Sequence, residues 1–207
     1  MSEARTRALW ADLQPPQLPV PAHVVRAKAR MMRSLVEQLT PVVAAVAEYR
    51  KAIEGFFAHI PTAQWARTLP IGEHGITAPT LWARLGDAPG RWASFRHPQA
   101  QAGAVPVTKR SGKQQRVVQF RHACDKALRY VVEHVAFLSL RFSEWARAYY
   151  DQQRARHHSH RQALRALGAK WLKIIFVMWE RQLPYDERYH LATMTRQQFR
   201  ERQEKIA

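Results

Sequence analysis

The chain has 207 residues, 46% of them hydrophobic, and its 33 Lys plus Arg against 16 Asp plus Glu give a formal net charge of +17. Seven Trp, eight Phe and six Tyr can fill a core, which excludes wholesale disorder, and the single Cys excludes an intrachain disulfide framework or thiolate zinc site. Most of the cations are Arg, suited to bidentate phosphate contact, and such an excess repels itself unless a polyanion neutralises it, so nucleic acid is the first expected partner.

Met1 to Pro21 begins with a short helical patch (Ala8, Leu9, Trp10, Leu13) and breaks at Pro15, Pro16, Pro19 and Pro21. Residues 1–21 therefore read as a linker or tether. From Ala22 to Ala58 the pattern is a long helix. Leu35, Val42, Tyr49 and Phe56 recur every seven residues, and Met32, Leu39, Val46 and Ile53 form a second such series. Two interleaved heptad series are a coiled-coil seam, and residues 22–60 are assigned to a coiled-coil-like arm. Thr40 and Pro41 fit the cap and first position of a fresh helix, but both series continue across them, so a kinked continuous helix is preferred. The arm either dimerises the chain or packs on its own domain.

Residues 61–186 form the main domain. Gly72 and Gly75 sit in a tight turn before a helix carrying Ile76, Leu81, Trp82 and Leu85. The outline is that of a helix-hairpin-helix, whose turn amides and helix N-terminus hold a phosphate; a purely structural turn is the alternative. Asp87 to Pro98 reads as a loop anchored by Trp92 and Phe95. Val105, Val107, Val117, Val118 and Phe120 then give strand character on both sides of a Thr108-Lys-Arg-Ser-Gly-Lys113 turn, a short β-hairpin. Ser111 is ringed there by Lys109, Arg110 and Lys113. A phosphodiester could be held and attacked at that hydroxyl, or the turn could simply grip a nucleic-acid backbone. Nothing nearby is an obvious base for serine activation, so spacing alone favours the gripping turn.

His122 to Leu140 is predicted as a helix with Leu128, Val131, Val132, Val135 and Leu138 on one face, Cys124 buried at its start, and Arg121, Lys126 and Arg129 keeping charge beside the turn. Ser143 is the predicted N-cap of the next helix, and Ser159 that of the last, which turns Leu164, Leu167, Trp171, Ile174, Ile175 and Met178 inward and Arg161, Arg165, Lys170 and Lys173 outward. Residues 187–207 read as a polar tail with a frayed helix. The fold class expected overall is mainly α: a helical arm, then a helical domain with a helix-hairpin-helix-like turn and the short β-hairpin.

His157, His158 and His160 lack the i, i+4 geometry of helical zinc pairs and read as additions to the basic surface; no metal site is expected. Asp12, Asp87, Asp125, Asp151 and Asp186 are scattered, so no two-metal centre is expected, and no phosphate-binding P-loop is present. No apolar run reaches membrane-spanning length, since Trp171 to Trp179 is short and carries Lys173, and no signal-peptide pattern opens the chain. A soluble, cytoplasmic, nucleoid-associated bacterial chain without membrane contact is expected.

Several short strings occur together in order: Leu69-Pro-Ile-Gly72, Thr77-Ala78, Leu85-Gly-Asp87, Phe95, Ala102-Gly-Ala-Val-Pro-Val-Thr-Lys-Arg-Ser-Gly-Lys113, Trp145-Ala-Arg-Ala-Tyr-Tyr150, Ser159-His160, Ala163-Leu-Arg-Ala-Leu167 and Pro184-Tyr-Asp186. From about Leu69 to Asp186 this resembles the C-terminal domain of IS110/IS116/IS902-type insertion-sequence transposases, and the Ala22–Ala58 arm resembles the segment preceding that domain. The resemblance implies a DNA recombinase with a serine nucleophile in this domain and an N-terminal RuvC-like domain whose acidic tetrad binds magnesium. It also implies a structured guide RNA and an arm that helps oligomerisation. Ser111 falls where the family has its serine, and Gly112 matches the following glycine. Lys109, Arg110, Lys113, Arg116 and Arg121 are then expected to hold phosphates around it.

The sequence departs from the family in two ways. No RuvC-like domain is seen, and the usual Leu-Pro-Gly-x-Gly turn is altered to Leu69-Pro-Ile-Gly-Glu-His-Gly75. The chain is therefore expected to resemble a truncated copy or half gene, inactive alone and needing the acidic domain, with its magnesium, from another chain. The competing expectation is a non-catalytic nucleic-acid-binding remnant or dominant-negative partner. Expected partners are transposon-end and target DNA, a guide RNA, and a second copy through 22–58 or an acidic-domain partner.

Overall fold

Leu128, Val131, Val132 and Val135 on one helix meet Leu167, Trp171, Leu172 and Ile175 on another, each at most 2% exposed, and the main domain is built on that contact. The computed structural model describes residues 3–14, 19–72, 75–88, 90–111, 114–118 and 121–192, with the backbone alone for 108–111 and 114–118. It divides into two compact units, Met1–Tyr49 and Arg50–Ala207.

The first unit holds α1 (Glu3–Asp12) and most of α2 (Ala22–Ala58), a 37-residue helix that continues through Pro41. The Thr40 hydroxyl donates to the Val36 carbonyl at 2.8 Å, bonding back along the helix instead of capping a new one. Pro41 has no N–H to donate to the Glu37 carbonyl one turn earlier, so that helical bond is missing. All eight members of the two heptad series are exposed, from Ile53 at 41% to Phe56 at 73%.

In the second unit, Phe57 from the last turn of α2 is buried edge-on to Trp82, ring centroids 6.4 Å apart. A 3-10 turn (Pro61–Ala63) leads into α3 (Gln64–Arg67), then α4 (Thr77–Leu85), α5 (Arg96–Gln101), strands β1 (Val107–Ser111) and β2 (Gln114–Val118), α6 (Lys126–Phe142), α7 (Glu144–Ala155) and α8 (His160–Arg181). The mainly helical class expected from the sequence is observed.

Helix α6 starts four residues later than the His122 expected. The Asp125 carboxylate accepts from the amides of Ala127 and Leu128 and fixes the start, leaving Cys124 half-buried just outside. Helix α6 packs on α4, α7 and α8. Its buried Ser139 hydroxyl accepts the indole N–H of Trp171 at 2.8 Å and donates to the Ala136 carbonyl, so a fully buried Trp leaves no polar atom unpaired there. Trp179 is satisfied in the same way by the Gly86 carbonyl at 2.7 Å.

Ser143 occupies the N-cap position of α7, but its hydroxyl donates to Glu187 Oε1 at 2.8 Å and caps nothing. Ser159 caps α8 in a full capping box with Gln162, and α8 ends at left-handed Gln182, ahead of Pro184. Arg165, expected to point outward, is half-buried with its Nε 3.9 Å from Glu133. Residues 187–192 stay on the core. The Tyr185 hydroxyl accepts from Trp145 Nε1 at 2.7 Å, residues 187–192 are helical, and the His190 ring lies 4.5 Å from that of Trp145.

Candidate nucleic-acid interface

Three features make up the candidate site, the first two of which the sequence singled out. The first is the turn before α4. Buried Leu69 and Ile71 anchor its approach, and Gly72 (φ 92°) and Gly75 (φ 120°) lie in the region that only glycine adopts without strain. Positions 73 and 74 are outside the described residues. Helix α4 opens at Thr77 with no side-chain cap from Ile76. The Gly75 amide is directed at an anion, and that anion is the chain's own: Glu54 Oε1 of α2 accepts it at 2.8 Å. A cavity of about 310 Å³ opens here, lined by Glu54, Arg67, the two glycines and Thr77.

The second feature is the β1–β2 ribbon. It is antiparallel, with Lys109 opposite Arg116, Arg110 opposite Gln115 and Ser111 opposite Gln114. Ser111 is thus the last residue of β1, at the tip. The side chains of Ser111, Lys109, Arg110 and Arg116 lie outside the described ones, as do Gly112 and Lys113 altogether.

The feet of the ribbon are held by residues the sequence reading did not single out for this task. The Arg129 guanidinium donates to the Ala102 carbonyl at 3.3 Å on one side and to the Arg121 carbonyl on the other. The Asp125 amide donates to the Gln101 carbonyl at 2.8 Å. Gly103 (φ 64°) is buried between them, and a β-carbon there would strike the Arg129 guanidinium and come within 3.1 Å of Cys124 Cβ. Arg121, expected to hold phosphate, directs its Nε at the Ala123 carbonyl at 3.1 Å. Arg129, expected to keep its charge beside the turn, holds backbone carbonyls instead. The sequence signal of this clamp is slight: an Ala102-Gly-Ala104 string before the ribbon and a basic residue in the first turn of the helix after it.

The third feature is a groove of about 500 Å³ at the foot of the ribbon, bounded by Val105 and Pro106, by Phe95 and Tyr149, and by α8. Arg165, Lys170 and Lys173 line it, and among the described residues no carboxylate does. Lys173 Nζ lies 5.4 Å from the centre of the Phe95 ring and Lys170 Nζ 5.7 Å from that of Tyr149. Burial pushes the Tyr149 phenol above its ordinary pKa, against a smaller lowering by Arg156, so it stays a neutral hydroxyl. Next to this face, burial and then Lys170 hold His190 below the usual imidazole value, with Glu187 opposing.

Two of the histidines after α7 have side-chain partners: His158 Nδ1 meets Gln153 Oε1 at 3.0 Å and His160 Nδ1 the Tyr150 hydroxyl at 2.7 Å. Among the described residues no cluster of three or more His, Cys, Asp or Glu is placed to hold a metal. No helix among them is long and apolar enough to cross a membrane.

These features define a strongly basic, mainly helical domain with a two-stranded ribbon, in which Glu54, Asp125, Asp151 and Glu187 are engaged in structure. Residues 68–151 match the Transposase IS116/IS110/IS902 family. The match takes in the glycine turn, the ribbon with Ser111, and Arg129; it ends inside α7, before α8. A similar curated protein is the "Insertion element IS110 uncharacterized 43.6 kDa protein" of Streptomyces coelicolor, 27% identical over 157 residues. The alignment covers 74% of this chain and 38% of that protein, so the chain spans well under half the length of its relative.

Proposed function

We propose that this chain acts in DNA transposition as the DNA-binding C-terminal part of an insertion-sequence transposase, with Ser111 as the nucleophile. The carrying observation is the family match over residues 68–151, within which Ser111 ends β1 at the tip of a ribbon whose feet are clamped. In the proposed step Ser111 Oγ attacks a phosphodiester phosphorus. The O–P bond to serine forms, the bond to the leaving deoxyribose oxygen breaks, a general base takes the serine hydroxyl proton, and the leaving oxygen takes up a proton to become a free hydroxyl. Lys109, Arg110, Lys113, Arg116 and Arg121 surround the phosphate, with the Gly112 amide at the turn. At the other turn a DNA phosphate takes the Gly75 amide from Glu54, which makes Gly72–Gly75 a helix-hairpin-helix contact.

Magnesium does not fit the described residues. Asp125 caps α6, Asp151 pairs with Arg147, Glu54 holds Gly75 and Glu187 holds Ser143, and none of these gathers into a set. No step is therefore routed through a metal here; an acidic RuvC-like partner domain would bring its own. The partners proposed are transposon-end and target DNA, a guide RNA, and a second copy of the chain through the exposed heptads of 22–58, all in the bacterial cytoplasm. The engaged carboxylates also favour a second reading, a non-catalytic nucleic-acid-binding chain that acts on an intact transposase.

The test incubates the chain with element-end DNA, with and without an acidic RuvC-like domain, and looks for a covalent protein–DNA adduct on denaturing gels. An adduct that disappears in Ser111→Ala, with DNA binding retained, is the expected result. An adduct that persists in Ser111→Ala overturns the nucleophile assignment. Binding without an adduct under either condition selects the second reading.

A further inference from the structure

We propose that the groove between α5, α7 and α8 seats one unpaired nucleotide of a single-stranded nucleic acid, its base against the Tyr149 or Phe95 ring and its phosphate on Lys170 and Lys173. This rests on the nucleic-acid-binding reading above, and adds a site in α8 that the family match does not reach.

Charge makes the ligand anionic. The groove is lined by Lys170, Lys173 and Arg165 with no carboxylate, and neither lysine forms an ion pair with a carboxylate among the described residues. Shape makes it flat and small. Lys170 and Lys173 stand at i, i+3 on one face of α8, and Ala166 and Ala169 on the same side leave the floor open between them and the rings. At about 500 Å³ the space suits a single nucleotide-sized group rather than a macromolecular face.

The two ammonium groups rest on the two aromatic rings, the arrangement expected where π faces have no other partner. An incoming base stacks on a ring and displaces the ammonium towards its own phosphate, so one ligand satisfies both halves of each pair. A duplex offers phosphates alone, because its bases are stacked and paired; only an unpaired base reaches the rings. The buried Gln99 amide, donating to the Ala169 carbonyl at 2.7 Å, fixes α5 to α8 and so holds the Phe95 wall in place. Val105 and Pro106 form the opposite lip and run directly into β1, so a strand leaving the groove is delivered to the ribbon.

The full chain is titrated by fluorescence anisotropy against fluorescein-labelled dT20, U20 and a 20-base-pair duplex at fixed salt. Tyr149→Leu and Phe95→Leu are expected to weaken single-strand binding about 5- to 100-fold, the loss of one stacked base. Duplex affinity is expected to change less than about twofold. Tyr149→Phe keeps a ring and should keep single-strand affinity. Lys170→Gln/Lys173→Gln, both exposed, should lower the single-strand salt slope by about 0.7, the share of the one phosphate they hold. The dT20 and U20 arms show whether DNA or RNA is the better ligand.

Equal losses on single strand and duplex in the ring variants would overturn the proposal, as would a poly-glutamate chain competing as well as dT20. Unchanged binding in both the lysine and the ring variants, with the parent still binding nucleic acid, sinks this site alone. A parent chain that binds none of the three probes sinks the nucleic-acid reading itself.

Discussion

Arg129 commits its guanidinium to two backbone carbonyls, Ala102 before the ribbon and Arg121 after it, and so sets the distance between the ribbon's feet. Hydrogen bonds from a charged donor contribute about 1.5–3 kcal/mol each. Arg129→Met is therefore expected to cost about 3–6 kcal/mol and lower Tm by roughly 6–24 °C in a domain of this size. Arg129→Lys should recover little, because one ammonium cannot reproduce a planar fork that reaches both carbonyls. Full recovery of Tm by lysine would show that charge, not the fork, matters here. Gly103→Ala should match the loss for an independent reason: φ 64° disfavours any β-carbon, and this one meets the same guanidinium. Ser111→Ala, on the ribbon tip, is expected to leave Tm unchanged in the same melts, which separates the foot from the proposed chemistry.

At the scale of elements, α2 is the open question, since it shows eight heptad positions exposed along one helix and a proline in the middle. Leu39→Glu with Val46→Glu is expected to convert any dimer seen by sedimentation velocity to monomer at micromolar concentration, with the main domain's Tm within about 2 °C of the parent. A chain that is monomeric before substitution would remove the dimer reading. This helix was legible in the sequence because its signal is local: the seven-residue period and the continuity across Pro41 are written in consecutive residues. The core faces of α6 and α8 were legible for the same reason. The start of α6 was not, because Asp125 competes with other plausible starts and only the folded ribbon foot decides between them. The docking of Tyr185 and His190 escaped composition altogether, since a polar stretch gives no sign that Trp145, some 40 residues away, needs a hydrogen-bond partner. The groove was equally hidden. Phe95, Tyr149, Lys170 and Lys173 come from three helical regions, and the outward charges of α8 read as solvated until the two rings appear beneath them.

For the whole molecule, the +17 charge is not +17 of binding capacity. Arg129 is tied to carbonyls, Arg165 sits beside Glu133, and Arg7 and Arg147 each pair with a carboxylate one turn away on their own helices. The Gly75 amide faces Glu54, so gripping a phosphate there displaces a carboxylate rather than filling an open donor. The number of phosphates neutralised on binding should therefore fall well short of the formal charge. If about six to eight are engaged on duplex DNA, the slope of log K against log salt is about −5 to −7, a loss of roughly 10³–10⁴ in affinity between 50 and 200 mM. Anisotropy titrations across that range measure it directly. A slope near zero would mean the cations serve the fold or solubility, and would remove electrostatics as the basis for DNA binding. A slope near −15 would mean that the internally paired arginines are released when DNA binds, and that the ribbon feet and the α6–α8 contact rearrange with them.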